Sequence, residues 1–291
     1  MSYIIENGIL RQYSGKNRSV VIPEGVHAIG NYAFCDAVEL EKVKLPKSLT
    51  TIGEGAFSGC ESLRELKLTE NIKRIGAYAF EKCSLLADED GFLIYRNCLF
   101  GYFGQAREPQ IPEGVREIAT GAFLGCAGIE RIRIPDGVKS IGALAFAHCH
   151  SLQNIELPEG LSSFGYGTFL NCVSLREIRI PEGVERLEDL LFDGCRSLKN
   201  VILPDSLRAV GSYAFSRCDG LIHQILPPST VTVGKYAFCF CDKLRTVVLP
   251  PTVTGIGEDI FSNCLKPTIL TERGSFAHSM GKELGLPVRF V

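Results

Sequence analysis

Apolar residues recur along the chain at a fixed interval of 23 residues. Two consecutive stretches show the pattern: "IPDGVKSIGALAFAHCHSLQNIE" at 134–156 and "LPEGLSSFGYGTFLNCVSLREIR" at 157–179. Counted from the aliphatic residue before the proline, ten such repeats begin at residues 22, 45, 68, 111, 134, 157, 180, 203, 226 and 249. A fixed period of this length indicates a repeat architecture, and that observation outranks any local motif.

Each repeat combines a predicted strand with a predicted turn region. Position 13 is Phe in all ten repeats, position 16 is Cys in nine and position 9 is Gly in eight. Apolar residues at positions 19, 22 and the next position 1 predict a short strand, which the following proline ends because it lacks a backbone donor. The middle, "IGxxAFxxC", spaces apolar residues three to five apart and predicts one or two helical turns.

One repeat cannot bury its own apolar side, but stacked repeats can form a continuous core with ladders of Phe and Cys. The sequence therefore predicts an α/β solenoid of ten 23-residue repeats with a face of parallel strands. Strand residues alternate between the two sides, so positions 21 and 23 are expected to face solvent.

The repeat resembles the leucine-rich repeat L-x-x-L-x-L-x-x-N/C-x-L, in the variant I-P-x-x-V-x-x-I-G-x-x-A-F-x-x-C. That variant is similar to the BspA-like (Treponema pallidum-type) leucine-rich repeat family, and the similarity covers residues 20–270. The resemblance implies a leucine-rich-repeat solenoid used for binding, often in adhesion at bacterial and other microbial surfaces. It implies no catalytic residues.

One segment precedes the repeats, one interrupts them and one follows them. "FLIYRNCLFGYFGQAREPQIPEGV" separates the third and fourth repeats and aligns without gaps against the N-terminal "YIIENGILRQYSGKNRSVVIPEGV"; both predict β-hairpins. The C-terminal "GSFAHSMGKELGLPVRFV" predicts a helix with Ser275 as N-cap and a last short strand. The expected organisation is one solenoid over 1–291: N-terminal hairpin 1–21, first repeat run 22–91, inserted hairpin 92–110, second run 111–270 and cap 271–291.

The inserted hairpin has two interpretations that the sequence leaves open. It continues the stack as the product of an old duplication, or it forms a contact surface through its aromatic residues. Those residues are Tyr95, Phe100, Tyr102 and Phe103.

The charge balance and the hydropathy of the chain limit the classes of partner and the cellular locations that we expect. The 31 basic and 33 acidic residues nearly cancel, so no net field favours nucleic acid or an anionic membrane. No apolar run approaches the roughly 18 residues of a membrane helix, and the first residues are too polar for a signal peptide. These features and a ladder of free thiols predict a cytoplasmic protein; the family resemblance implies the cell surface or secretion as the alternative.

"FAHCHSL" at 146–152 places Cys149 between His148 and His150, a set of ligand types that zinc prefers. Cys149 occupies repeat position 16, whose members are expected to point into the stack. The neighbours of the histidines one repeat away, such as Gly125 and Asn171, cannot complete a tetrahedral site. We therefore expect a structural thiol and neither metal nor cofactor.

The other thiols fit the same interpretation. Parallel stacking of equivalent side chains disfavours the near-perpendicular torsion of a disulfide, which predicts free buried thiols in the cysteine ladder. Cys239 stands outside the ladder and could be exposed and reactive; its redox state and those of Cys35 and Cys98 are left open. No phosphate-binding loop, dinucleotide fingerprint or nucleophile elbow is present, so we expect no catalytic residues and no enzyme.

Binding is expected along the strand face, where position 23 changes from basic to mixed to aliphatic down the stack. The aliphatic end either reflects strand propensity or forms an exposed apolar patch for a partner. The candidate partner-binding residues are Lys42, Lys44, Lys67, Arg131, Arg133, Arg179, Ile202, His223, Ile225 and Val248.

The sequence therefore favours a non-enzymatic scaffold that binds a protein or peptide along this face, without naming the partner or the oligomeric state. The alternative is a carbohydrate-binding or adhesion module at a microbial cell surface. It ranks lower because no aromatic residue stands at position 21 or 23, and sugar sites usually need an aromatic platform.

Overall fold

The computed structural model describes residues 3–291 and confirms a leucine-rich-repeat fold built from parallel strands. The chain divides into two compact parts: Met1–Gly104 with Ala119–Ala122, here the N-terminal lobe, and Gln105–Ile118 with Phe123–Val291, here the C-terminal lobe. The organisation of the whole chain as one domain stays a prediction.

The N-terminal lobe contains two sheets and a hairpin. Its strands are β1 (Tyr3–Glu6), β2 (Ile9–Tyr13), β3 (Ser19–Val21), β4 (Ala28–Ile29), β5 (Lys42–Lys44), β6 (Thr51–Ile52), β7 (Glu65–Leu66), β8 (Arg74–Ile75), β9 (Phe92–Tyr95) and β10 (Cys98–Tyr102). Strands β3, β5 and β7 form one parallel sheet, and β2, β4, β6 and β8 form another. Strand β1 adds antiparallel to β2, and β9 pairs antiparallel with β10. A single 3-10 turn covers Ser84–Leu86.

The C-terminal lobe is also built from two series of short parallel strands, and it ends in a helix and a strand. Its elements are β11 (Glu117–Ile118), β12 (Arg131–Arg133), β13 (Ser140–Ile141), β14 (Asn154–Glu156), β15 (Ser163–Phe164), β16 (Glu177–Arg179), β17 (Arg186–Leu187), β18 (Asn200–Ile202), β19 (Ala209–Val210), β20 (His223–Ile225), β21 (Thr232–Val233), β22 (Thr246–Val248), β23 (Gly255–Ile256), β24 (Thr268–Thr271), α1 (Phe276–Glu283) and β25 (Val288–Phe290). Along residues 3–291 no helix has the length and apolarity needed to cross a membrane.

Nine of the ten repeats contribute two short parallel strands, and the repeat that begins at 68 contributes only β8. The predicted strand occupies positions 21–23, and within a sheet its residues pair with those 23 further on, as Arg131 does with Asn154. A second strand of two residues at positions 7 and 8, such as Ser140–Ile141, pairs with its equivalent in the next repeat. The second strand was not predicted, because two residues are too few for an alternating pattern to be visible.

The core of each lobe contains a ladder of stacked phenylalanines. In the C-terminal lobe the position-13 rings from Phe123 to Phe261 follow one another with centroids 4.8 to 5.8 Å apart. In the N-terminal lobe Phe34 stacks on Phe57 at 5.1 Å, and Tyr13 of the hairpin lies against Phe34 at 5.0 Å. The hairpin therefore caps this ladder with its own aromatic ring.

The expected helical turns are absent from the repeats, and this prediction was wrong. Positions 11 and 15 adopt a left-handed backbone in every repeat; in the repeat beginning at 134 these are Leu144 (φ 53°) and His148 (φ 61°). The N–H groups at positions 11, 13 and 15 donate to the next repeat, as Leu144 N does to Tyr166 O (2.9 Å) and Phe146 N does to Thr168 O (2.9 Å). A helix would have used those donors within one repeat, so the stack replaces the helix with consecutive turns.

The predicted hairpins and cap are confirmed. Asn7 and Gly8 turn the first hairpin with φ of 49° and 71°, as a two-residue hairpin turn requires. In the second hairpin Phe100 packs edge-on against Phe80 at 5.9 Å. The side chain of Ser275 accepts a hydrogen bond from His278 N and caps α1.

Candidate binding surface on the strand face

The surface built by positions 21 and 23, here the strand face, has the alternation that was predicted. In β12, β14, β16, β18 and β20 the central residue is buried and the two flanking side chains are exposed. The buried residue anchors each strand in the core, and the flanking side chains stand outward in columns, one per repeat. The side chains at positions 21 and 23 can therefore differ from repeat to repeat without disturbing the core.

Four aliphatic side chains line up on the strand face of the C-terminal lobe: Ile202, Ile225, Val248 and Leu270, here the apolar stripe. Ile225 is 66% exposed and Ile202 is 46% exposed, whereas Val248 and Leu270 are partly buried. Residues 225, 248 and 270 are in register on β20, β22 and β24. Sequence counting missed Leu270 because the last repeat is one residue shorter, which shifts the exposed position from 271 to 270.

The strand ladder opens inside the stripe, between β18 and β20, which belong to different sheets. Gln224 occupies the buried central position of β20, where the other strands carry an aliphatic residue. Its Nε2 donates to Val201 O at 3.4 Å and to Ile225 O at 3.0 Å, and its Oε1 is buried without a hydrogen-bond partner among residues 3–291. A side-chain amide therefore bonds to the β18 carbonyl at this opening.

Polar groups border the stripe along position 21. His223 Nδ1 lies 2.6 Å from Thr246 Oγ1, within one hydrogen bond. Both side chains are in register on adjacent strands, and Asn200 stands exposed at the equivalent position of β18. The predicted candidate His223 is thus a fixed neighbour of the stripe and part of its polar border.

The predicted basic candidates fall into two groups. Lys42 pairs with Glu65, Arg131 with Glu108 at 3.8 Å, and Arg133 with Glu113 at 3.3 Å and Asp136 at 3.1 Å. These pairs are exposed, so each contributes only about 0–1 kcal/mol and leaves the side chain available. Lys44, Lys67 and Arg179 have no carboxylate within 4 Å among the described residues.

Cys149 and the two histidines that flank it lie in different surroundings. Cys149 is fully buried, and its thiol donates to Phe123 O at 3.2 Å, while the His148 and His150 rings lie edge to face at 5.8 Å. In residues 3–291 no group of three His, Cys, Asp or Glu side chains is placed to hold a metal ion. Burial raises the pKa of the Cys149 thiol well above its usual value, which disfavours the thiolate that a nucleophile needs.

The ladder thiols share one contact that sequence reasoning did not identify. Eight of them donate to the carbonyl of the position-13 phenylalanine in the preceding repeat, as Cys172 does to Phe146 O at 3.1 Å and Cys195 to Phe169 O at 3.1 Å. No disulfide joins the cysteines of the described chain. The alternative of an exposed, reactive Cys239 is wrong, because its side chain is 1% exposed and burial raises its pKa. Cys35 is the exposed thiol.

Comparison with known proteins agrees with this architecture. The family model "BspA type leucine rich repeat region (6 copies)" matches residues 4–89, 94–221 and 167–273. A solved leucine-rich repeat protein of T. pallidum is 30% identical over 73% of this chain and 82% of its own, with a TM-score of 0.37. One from Eubacterium ventriosum is 21% identical over 88% of each chain, with a TM-score of 0.59, which shows the fold alone.

A leucine rich cell surface protein from Faecalibacterium prausnitzii is 24% identical over 96% of this chain and 94% of its own, with a TM-score of 0.37. No curated protein matches the chain.

Proposed function

Because the chain belongs to the BspA-type leucine-rich repeat family, we propose that it is a non-enzymatic scaffold that binds a protein or peptide along its strand face. The observation that supports this proposal is the apolar stripe of the C-terminal lobe. Aliphatic side chains aligned on adjacent strands and bordered by polar groups are typical of a surface that a partner covers. Strand propensity alone accounts less well for Leu270, which continues the column outside the regular repeat spacing.

Ile225 is the residue whose burial by a partner should contribute most. It is 66% exposed, more than any other member of the stripe. Covering a fully exposed isoleucine stabilises a complex by about 1.5–3 kcal/mol. Replacing it with aspartate removes that contribution and places a charge against the partner, so we expect a loss of about 2 kcal/mol or more, about 30-fold in Kd.

Ile225→Asp and Val231→Asp make a matched pair for testing this proposal. Both are exposed aliphatic residues of the C-terminal lobe, but Ile225 lies on β20, whereas Val231 precedes β21, which belongs to a different sheet. The test measures thermal unfolding and capture of partner proteins by each variant. The proposal predicts that both variants fold and that only Ile225→Asp loses capture; equal capture by a folded Ile225→Asp protein refutes it.

Most thiols of the cysteine ladder are poor candidates for nucleophiles. A hydrogen bond with Cys241 lowers the pKa of the partly buried Cys264, but burial raises the pKa of Cys60 to about 12 and that of Cys126 to about 11. A thiol with such a pKa is almost entirely protonated near neutral pH. Binding without chemistry is therefore the function that the site supports best.

Carbohydrate binding in adhesion is the second candidate, and one observation favours it. Tyr213 and Tyr236 stack at 5.0 Å with 15° between their rings on the turn side of the C-terminal lobe, where Tyr213 is 37% exposed. Such a pair could serve as an aromatic platform for a sugar. A glycan array is expected to show binding that Tyr213→Ala abolishes if this candidate is right, and no binding if the protein scaffold is the whole function.

The location of the protein also belongs to this proposal. Membership of the family favours the cell surface or secretion, which suits an adhesion role. The cytoplasmic location expected from the sequence stays a prediction without further support. Protease treatment of intact host cells, followed by detection of the protein, distinguishes the two.

A further inference from the structure

Two depressions on the strand face occupy equivalent positions of the repeat, one in each lobe. The first, of about 650 Å³, lies in the N-terminal lobe and is bordered by Lys44, Lys47 and Lys67. The second, of about 330 Å³, lies in the C-terminal lobe and is bordered at the same repeat positions by Glu156, Glu159 and Arg179.

Strand pairing is incomplete at both depressions. Strand β7 ends at Leu66, one residue before Lys67, and β14 and β16 belong to different sheets. The strand face therefore opens at the same repeat positions once in each lobe, and the charges that border the two openings differ.

The N-terminal depression, here the lysine site, has an excess of positive charge. Lys44, Lys47 and Lys67 are exposed, and none has a carboxylate within 4 Å in the part of the chain that the structure describes. Lys42 is already paired with Glu65. The other lining carboxylate, Glu24, accepts a hydrogen bond from Lys47 N at 3.2 Å. Three ammonium groups against one remaining carboxylate leave a net charge of +2 for a ligand to neutralise.

The floor of the lysine site is aliphatic. Val43 and Leu45 are buried and Leu66 is partly buried beneath the lysines, and no aromatic residue lines the site. Thr69 replaces the proline that stands at repeat position 2 in the other nine repeats. Its hydroxyl is buried without a hydrogen-bond partner among residues 3–291. A floor of this kind suits an aliphatic side chain and gives a sugar ring no platform.

We infer that the lysine site binds an extended acidic segment of a partner protein, with the pattern acidic–x–aliphatic–x–acidic. This inference rests on the proposed function and names the partner chemistry for the N-terminal lobe. In an extended chain every second side chain points to the same side, with about 6.8 Å between them. The central aliphatic residue then contacts the partly buried Leu66, and the flanking carboxylates, about 13.6 Å apart, pair with the ammonium groups of Lys44 and Lys67.

The test uses the full-length chain and a fluorescent peptide with two copies of Glu-x-Val-x-Glu, measured by anisotropy. A peptide with Gln in place of every Glu controls for charge at constant shape. Lys44→Glu with Lys67→Glu reverses two charges of the site. Lys73→Glu makes the same change at an exposed lysine that precedes β8, outside the site.

We expect the acidic peptide to bind, the Gln peptide to bind at least tenfold more weakly, and the double variant to weaken binding about tenfold, since each exposed ion pair contributes up to about fivefold. Lys73→Glu should stay within about twofold of the unchanged protein. Equal binding of the two peptides, or unchanged binding by the folded double variant, overturns the inference. Binding of a sulfated oligosaccharide with the same lysine dependence, in place of the peptide, also overturns it.

The peptide-binding experiment and the capture experiment can fail independently, because the lysine site lies in the N-terminal lobe and Ile225 lies in the C-terminal lobe. If the acidic peptide does not bind while Ile225-dependent capture persists, the lysine-site inference alone is wrong. If capture is insensitive to Ile225→Asp as well, the proposed function fails with it.

Discussion

Replacing Phe169 with alanine should destabilise the C-terminal lobe strongly. Phe169 is fully buried and stacks against Phe146 at 5.8 Å and Phe192 at 5.6 Å, with Phe164 edge-on at 5.8 Å. Core Phe→Ala substitutions cost about 3–5 kcal/mol, and each aromatic pair contributes about 0.5–1.5 kcal/mol beyond its buried area. With three ring partners lost, we expect a cost near the upper end, about 4–5 kcal/mol. This is a large share of the roughly 5–15 kcal/mol that stabilises a typical domain.

The assay is denaturant unfolding of the unchanged protein and the variant, followed by hydrogen exchange to locate the loss. Exchange is informative because repeat stacks unfold in parts when neighbouring contacts are weakened. Phe240→Ala is the matched control: Phe240 is 44% exposed and contacts Arg217 at 5.7 Å, so its removal should cost less than about 1 kcal/mol. If the two variants lose similar stability, the stacked ladder is not the source of the stability of the lobe.

Three smaller perturbations test the turn region and the thiols. Gly55→Ala should lower the free energy of unfolding by about 1–2 kcal/mol, because Gly55 has φ of 55° and a Cβ there would lie 2.3 Å from the Tyr32 ring. A double-mutant cycle with Tyr32→Ala should show that the two changes are coupled, and simple additivity would contradict the contact. Cys172→Ala should lower the free energy of unfolding by about 1–2 kcal/mol, because it removes a buried hydrogen-bond donor and its volume, whereas Cys35→Ala should change it by less than about 0.5 kcal/mol. Equal effects of the two substitutions in urea titrations would be inconsistent with the contact of the Cys172 thiol. A maleimide reagent should modify exposed Cys35 in the native protein and reach Cys172 only on unfolding, because burial both excludes the reagent and raises the pKa of Cys172; mass spectrometry showing native modification of Cys172 would disprove its burial.

The strand side of the repeat could be predicted closely, because alternation and proline placement act over neighbouring residues. The burial of Ile155 between exposed Asn154 and Glu156 follows directly from the period of two. The turn side could not be predicted, because its hydrogen bonds run between repeats. Leu144 adopts a left-handed backbone that a leucine side chain does not favour, and the hydrogen bond from Leu144 N to Tyr166 O in the next repeat holds it there.

The apolar stripe could be predicted only in part, because some of its features depend on contacts between strands. The aligned aliphatics at 202, 225 and 248 follow from counting, but Leu270 depends on a repeat that is one residue short and on the pairing of β24 with β22. The opening of the ladder beside Gln224 depends on a side-chain contact with the carbonyl of the preceding strand. The sequence signal for this opening was a glutamine at a strand position that is aliphatic in the other repeats that have this strand.

Photocrosslinking is the decisive experiment for binding along the strand face, because it reports which surface a partner covers without changing the charge of that surface. A photoreactive phenylalanine analogue is placed at residue 225 in one protein and at residue 231 in a second, and each is irradiated with partner-containing extract. If a partner binds along the strand face, residue 225 should yield a specific crosslinked partner that is lost on competition with unlabelled protein, and residue 231 should yield none. A partner crosslinked from residue 231 but not from residue 225 would contradict binding along the strand face.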